Sequence, residues 1–487
     1  MAKGGGMSFG TVNTVILGIY LLGMLGIGLC FARRQRTRED YFLAGRNMPW
    51  LPVAMSMFAS LTSAITFMAV PATAYRENVA LVVVCLVSPL LAPVLIFGIY
   101  PIYRRLNVTT AYEYIGHRFG ATAHLAVSGL FILARLGWMG TVIYAPALAL
   151  NVATGLNLHL GIVLMGIMAT AYTVMGGLAA VLWTDVVQYV ILVGGAIWVA
   201  VVLVIRVPGG VQGIIDVGQA AGHIQGAGWE LSLTAMSVPV VAVSFFLQMM
   251  QDYGTDQVTV QRMLAVRSRR GVMRAVLFNA GTDAVMIALL LFIGLGLFAF
   301  YRAVPGGAGV DVDSILPHFI MTQLPVGVSG LVISAIFAAA MSSMDSGINS
   351  LATVIENDFV GIWRRADEEE MAGVMRARVL TLVLGIAATG LAFYISRIGH
   401  LIKGFATFMS LFNAPVLALF LLGLLSRHAR FGGWVAGVAV ALPATLWLQK
   451  SAGVHWVYYF PFSFACTFAI GWGVSLGLEL CQKKIDQ

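Results

Sequence analysis

Six ionisable side chains lie inside long apolar runs or at their ends: Arg135 in FILARLGWMG, Asp185 in WTDVVQ, Asp252 and Asp256 closing one run, and Asp283 and Asp345 within two others. A charge near the middle of a bilayer costs at least about 2.5 kcal/mol on insertion scales, so such groups face a cavity, an ion or one another. Two runs are also dense in hydroxyls. MSMFASLTSAITFM holds Ser56, Ser60, Thr62, Ser63 and Thr66; AAAMSSMDSGINS holds Ser342, Ser343, Asp345, Ser346, Asn349 and Ser350. One such run would say little, because hydroxyls bond back to the preceding turn and let helices pack closely. Two runs, one with a carboxylate among its hydroxyls, supply the several oxygens that a hard monovalent cation needs, and an unwound helix adds backbone carbonyls. The chemistry on offer is cation coordination at mid-membrane. Catalysis is not: the eight histidines show no HExxH or paired spacing, and Cys30, Cys85, Cys466 and Cys481 have no metal-like spacing. Each polar residue also has a scaffold reading. Asp185 and Asp256 stand near enough to helix ends to cap them or pair with loop arginines, and Arg135 could lock to Asp185 or Asp345.

The elements that position these groups must be membrane helices. Of 487 residues, 59% are hydrophobic and only 10% charged, and the mean hydropathy is +0.89, whereas a soluble domain carries about 25% charged residues. Thirteen apolar stretches of roughly 18 residues or more can be marked: 11–31, 50–75, 79–103, 122–153, 158–175, 182–205, 233–254, 273–301, 325–355, 377–396, 401–424, 431–449 and 455–480. The first is no signal peptide, being long, without a basic leader and followed at once by Arg33, Arg34, Arg36 and Arg38. With the loop after it on the inside, 21 of the 29 basic residues, Arg262 of the loop after the seventh span among them, fall in inside segments, 7 outside, and Arg135 within a span. That asymmetry sets the N-terminus outside and the C-terminus in the cytoplasm. The net charge of +8 thus belongs to cytoplasmic loops and not to a nucleic-acid surface, and no separate soluble domain is left.

The second span, rich in serine and β-branched residues and carrying Pro71, reads as an interrupted helix. The seventh offers a second break around Ser244 to Gln251, where Gln248, Gln251 and Asp252 follow an apolar stretch. Broken helices five spans apart describe an inverted-repeat secondary transporter: an extra helix at 11–31, repeats at 50–205 and 233–424, and two further helices in 431–480, together one transporter domain over 1–487.

Four passages then carry a resemblance: DYFLAGRNMPW (Asp40 to Trp50), VIYAPALALN with YTVMGGLAAVLWTDVVQ (Val142 to Asn151, Tyr172 to Gln188), TDQVTVQRML (Thr255 to Leu264) and AAAMSSMDSGINSLATV (Ala338 to Val354). In order and at matching spans, the chain resembles the sodium:solute symporter family, most closely its multivitamin, monocarboxylate, iodide and sialic acid branches. The resemblance implies an all-α polytopic protein of the LeuT type, a five-plus-five inverted repeat with 13 transmembrane helices. It implies Na+ as the coupled ion, at a shared site made by the carbonyls of Ala59, Thr62 and Ala339 and the hydroxyls of Ser342 and Ser343. A second sodium site in some members would fall on Asp185, Ser342, Asp345 and Ser346; sialic acid members have serine where this chain has Asp345. The solute would meet Ser63, Thr66, Phe67, Cys85 and Gln248 or Gln251. The carboxylate-binding arginine of sialic acid members aligns with Trp138, one helical turn from Arg135 on the same helix face, so Arg135 would pair with an anionic solute. The expectation is Na+-driven symport of a small organic anion by a monomer in the plasma (inner) membrane, with no nucleic acid as partner. Sugar or inositol symport, or an uncoupled sodium leak or sensor, is the alternative.

Overall fold

The computed structural model describes residues 10–32, 36–224, 228–234, 236–303, 312–363, 370–396, 409–451 and 453–485, and among them every extended element is a helix. The chain begins with α1 (Gly10–Ala32), α2 (Arg38–Leu43), α3 (Trp50–Leu61), α4 (Ala64–Arg76), α5 (Val84–Pro93), α6 (Tyr100–Leu106) and α7 (Glu113–Phe119). It continues through α8 (Ala121–Thr154), α9 (Leu158–Arg206), α10 (Gly210–Ala220), α11 (Val238–Gly254), α12 (Gln257–Ala265) and α13 (Arg269–Ala303). It closes with α14 (Ile315–Gln323), α15 (Val328–Val354), α16 (Glu370–Ile395), α17 (Ala414–Leu425), α18 (Phe431–Ser451) and α19 (Tyr459–Ile485).

Among the described residues, nine helices are long and apolar enough to cross a bilayer, ten when α3 and α4 count as one bent span. That is fewer than the thirteen expected. The difference lies partly in α9, whose 49 residues would reach about 74 Å at 1.5 Å per residue, over twice a hydrocarbon core of about 30 Å. Gly177, at φ +57° and ψ −160°, leaves the helical conformation and kinks α9 between the two expected spans. A side chain there would begin 2.7 Å from the Tyr41 carbonyl oxygen, so this position needs glycine for both space and backbone. The remainder lies in α11, only 17 residues long, and in the eleventh stretch, of which Met409–Leu425 is helical and 401–408 lies outside the described residues.

Large apolar side chains such as Leu22, Phe97, Ile205 and Val285 face outward, which in a chain of this hydropathy is a lipid-facing surface. The innermost helix is α15. Every residue from 332 to 354 on it is buried, and it packs against α9, α8, α1, α16 and α3. A helix enclosed on all sides reads as apolar all round; this one places its hydroxyl run where α3 ends.

Candidate functional site

The second span is broken as its composition predicts. Helices α3 and α4 meet at 59° across Thr62 and Ser63, whose ψ angles of 83° and 167° leave the helical region. Ser63 restarts the helix by accepting the Thr66 amide hydrogen at 3.4 Å, while its own amide turns back to the Leu61 carbonyl at 3.0 Å. The break removes the helical partners of the last α3 carbonyls. Two of these meet α15: the Ser342 hydroxyl donates to the Ala59 carbonyl at 2.7 Å, and the Ser343 hydroxyl to the Ser60 carbonyl at 2.9 Å. Ser342 also lies 3.2 Å from the carbonyl of Ala339. Three of the five residues expected at the shared site, Ala59, Ala339 and Ser342, are joined by these contacts; Ser343 reaches the neighbouring carbonyl of Ser60, and Thr62 stands at the break. All are buried. An oxygen-rich, water-poor junction between two helices suits a small hard cation.

One turn along α15 lies a second polar cluster. Asp185, on α9, accepts the Ser56 hydroxyl at 2.5 Å and the Arg262 guanidinium at 3.1 Å. Arg262 also donates to Ser56 at 2.8 Å and to the Ser346 hydroxyl, which passes a hydrogen bond to Asp345 at 3.0 Å. The Tyr172 hydroxyl donates to the other Asp345 oxygen at 2.6 Å. Arg262, Asp185 and Asp345 are fully buried. Two carboxylates facing one guanidinium leave a net charge of −1, and the second oxygen of Asp185 has no partner among the described residues. The donor set fits one further monovalent cation or a proton. Arg262 corrects the loop assignment made for it from sequence. All nine residues of α12 are buried, and Asp256 starts this short helix by accepting the Val258 amide at 2.9 Å.

Asp256 also explains Arg135. One carboxylate oxygen caps α12 and the other takes the Arg135 guanidinium, which lies 4.5 Å over the Trp138 ring and 5.6 Å from that of Phe131. The scaffold alternative named Asp185 or Asp345; the partner is neither. The seventh-span break is also displaced: α11 runs unbroken through Ser244 to Gln251 and ends at Gly254, because the Gln248 amide folds back onto the Ser244 hydroxyl at 2.9 Å within the helix. The interruption is at Thr255 and Asp256 instead. Above this break lies a cavity of about 160 Å³ lined by Ser63, Thr66, Arg135, Trp138, Gln248 and Asp252, with Phe245, Ile287 and Trp456 among its apolar walls.

The sequence profile of the sodium:solute symporter family matches residues 41–440, most of the chain. The chain belongs to that family. The sodium/sialic acid symporter SiaT of Proteus mirabilis is 31% identical over 456 residues, 93% of this chain and 92% of that protein. The sodium-dependent multivitamin transporter of Oryctolagus cuniculus is 31% identical over 452 residues, 91% of this chain and 70% of that protein. A solved structure of a Na+-coupled sialic acid symporter, substrate-bound and outward-open, superposes with a TM-score of 0.89 at 30% identity, covering 96% of this chain and 98% of that one. A nucleobase–cation-symport-1 family transporter in a closed conformation shares the fold alone, with a TM-score of 0.53 at 16% identity. The fold is thus the LeuT-like helical bundle, the chain is a transporter and not an enzyme, and the coupled ion of this family is Na+.

Against that geometry, five of the eight residues expected around the solute line the cavity: Ser63, Thr66, Arg135, Trp138 and Gln248. Phe67 is packed in the apolar core. Cys85 is half-buried outside the cavity lining, where its neighbour Val84 takes part instead. Gln251 sits beneath the cavity, bonded to Asn413 at 3.2 Å and to Asp256 at 3.5 Å. Helical spacing accounts for the two on α4 and α5: one residue's rotation by about 100° turns a side chain from cavity to core. Asn413 and Asp256 carried no site role in the sequence reading: Asn413 lines the cavity from a helix distant in the chain, and Asp256 reaches it through Arg135, 121 residues away.

Proposed function

We propose that this symporter carries a small organic solute with a carboxylate or similar anionic group, together with Na+, by alternating access. It does so as a monomer of thirteen spans in the plasma (inner) membrane, with the N-terminus outside and the C-terminus cytoplasmic. The repeats are 50–205 and 233–424, between the helix at 11–31 and the pair in 431–480. Supporting the solute class are the names of the similar proteins, sialic acid symporters and multivitamin and monocarboxylate transporters, and the guanidinium of Arg135 at the cavity wall.

The observation that carries the reading is the junction of α3 with α15. Na+, as cargo, would be held there by the carbonyls of Ala59, Thr62 and Ala339 and the hydroxyls of Ser342 and Ser343, the two hydroxyls donating to the carbonyls of Ala59 and Ser60. Exchanging those hydrogen bonds for ion contacts ties the break to α15, and the break also presents Ser63 and Thr66 to the cavity. Ion and solute therefore stabilise the same arrangement, and coupling follows from that shared preference. Each positive charge moved fully inward gains about 2.3 kcal/mol per 100 mV of inside-negative potential. A second cation would neutralise the net negative cluster of Asp185, Asp345 and Arg262, with Ser342 and Ser346 as further ligands. The test is stabilisation of the purified protein against heat by NaCl compared with KCl and choline chloride at equal ionic strength. Na+ raises the melting temperature in a saturable way; an equal rise in all three salts contradicts the site.

A further inference from the structure

The cavity holds one ionisable group that the anion reading leaves unused. Asp252, on the last turn of α11, is half-buried and lines the cavity, and no hydrogen bond or ion pair from the described residues reaches its carboxylate. Arg135 is already engaged. Its charge is answered by Asp256, buried with it, and its face is stacked over Trp138. With all three ionised, Arg135 and Asp252 on the cavity wall and Asp256 behind Arg135 sum to −1, among walls that include Ile65, Val70, Phe245 and Ile287. A carboxylate in such surroundings is costly unless a cation or strong donor compensates it, and a bare organic anion would add to the repulsion. Compensation by another protein side chain is already spent in the Arg135–Asp256 pair, which leaves a proton or a cationic group on what enters.

Resting on the reading of this cavity as the solute site, we infer that the transported solute is zwitterionic, with an amine or quaternary ammonium group seated against Asp252 and a carboxylate toward Arg135. The hydroxyls of Ser63 and Thr66 and the amide of Gln248 line the same cavity as neutral hydrogen-bonding partners. In this account Asp252 is the specificity-determining residue: it separates amino acids and betaines from monocarboxylates of the same size.

The test uses the full-length purified protein in saturating NaCl and reads half-saturation by thermal stabilisation. The probes are the protein amino acids, glycine betaine and carnitine, set against lactate, pyruvate, pantothenate, sialic acid, glucose and inositol. For the best zwitterion, its methyl ester is added, together with the matched anion that lacks the positive nitrogen: the N-acetyl form of an amino acid, or the tert-butyl analogue of a betaine. The inference expects at least one zwitterion to stabilise the protein, its matched anion to bind at least tenfold more weakly, and Asp252→Asn to shrink that difference below threefold. Stabilisation by no zwitterion, or a best ligand that is a bare anion or a neutral sugar, overturns it. So does full discrimination retained in Asp252→Asn. Trp138→Ala separates the two levels of the argument. If it leaves the best ligand's half-saturation unchanged, the cavity is not the solute site; if it weakens that ligand at least tenfold while Asp252→Asn changes nothing, the cavity stands and the zwitterion inference falls.

Discussion

Replacing Ser343 by alanine removes one hydroxyl from the junction on which the coupling argument turns. Ser343 donates to the Ser60 carbonyl at 2.9 Å, and both residues are buried. A neutral hydrogen bond of this kind is worth a net 0.5–1.5 kcal/mol or so, while a contact to a charged group is worth roughly 1.5–3 kcal/mol. The variant loses the first in the ion-free state and the second in the sodium-bound state, so sodium affinity falls by the difference, about 1–2 kcal/mol. That is about 5- to 30-fold in half-saturation for Na+. The assay is a NaCl titration of thermal stability, which needs no knowledge of the solute because a ligand that binds only the folded state raises stability with its concentration. Ser350→Ala is the control. Ser350 is equally buried on α15, but its hydroxyl bonds only within the helix, to Gly347 at 2.9 Å, and its half-saturation stays within twofold. Equal sodium affinity in Ser343→Ala and the unmodified protein would refute the assigned site.

Other perturbations probe the remaining parts. Asp345→Asn makes the cluster with Asp185 and Arg262 neutral, so the sodium dependence of uptake drops from two-site to one-site steepness; unchanged steepness rules out a second sodium at Asp345. Arg135→Gln leaves Asp256 buried without its cation and lowers stability by about 3–5 kcal/mol, read as a fall in melting temperature, whereas Arg135→Gln combined with Asp256→Asn recovers part of the loss; no recovery means the pair is not the dominant role of Arg135. Gly177→Ala adds left-handed strain of about 1–2 kcal/mol and an approach of 2.7 Å to Tyr41, and its melting temperature falls, while Gly194→Ala on the same helix, with nothing within 4 Å, costs nothing.

The broken second span was legible because its cause is local: Thr62 and Ser63 compete with the helix for hydrogen bonds, and Ser63 restarts it as a cap. The two hydroxyl runs that meet at the α3–α15 junction were legible for the same reason, since each is a short local stretch of sequence. What escaped depends on partners far apart in the chain. Arg262 meets Asp185 across 77 residues and Arg135 meets Asp256 across 121, and no periodicity encodes either meeting. The positive-inside count treated Arg262 as a loop charge because QVTVQRMLA has too many polar residues to read as a span; its burial comes from α3, α2 and α15 closing over α12. The break in the seventh span was misplaced because Gln248 looks like a helix-disrupting polar residue in sequence, yet bonds within its own helix.

The central claim is that the sodium gradient drives solute accumulation through the α3–α15 junction. Proteoliposomes containing the purified protein, given an inward sodium gradient and the solute identified by thermal stabilisation, test it directly. The account predicts accumulation above the outside concentration that collapses when the gradient is removed and requires higher sodium in Ser343→Ala. Equal uptake with and without the gradient, or sodium flux that does not depend on the solute, would contradict it.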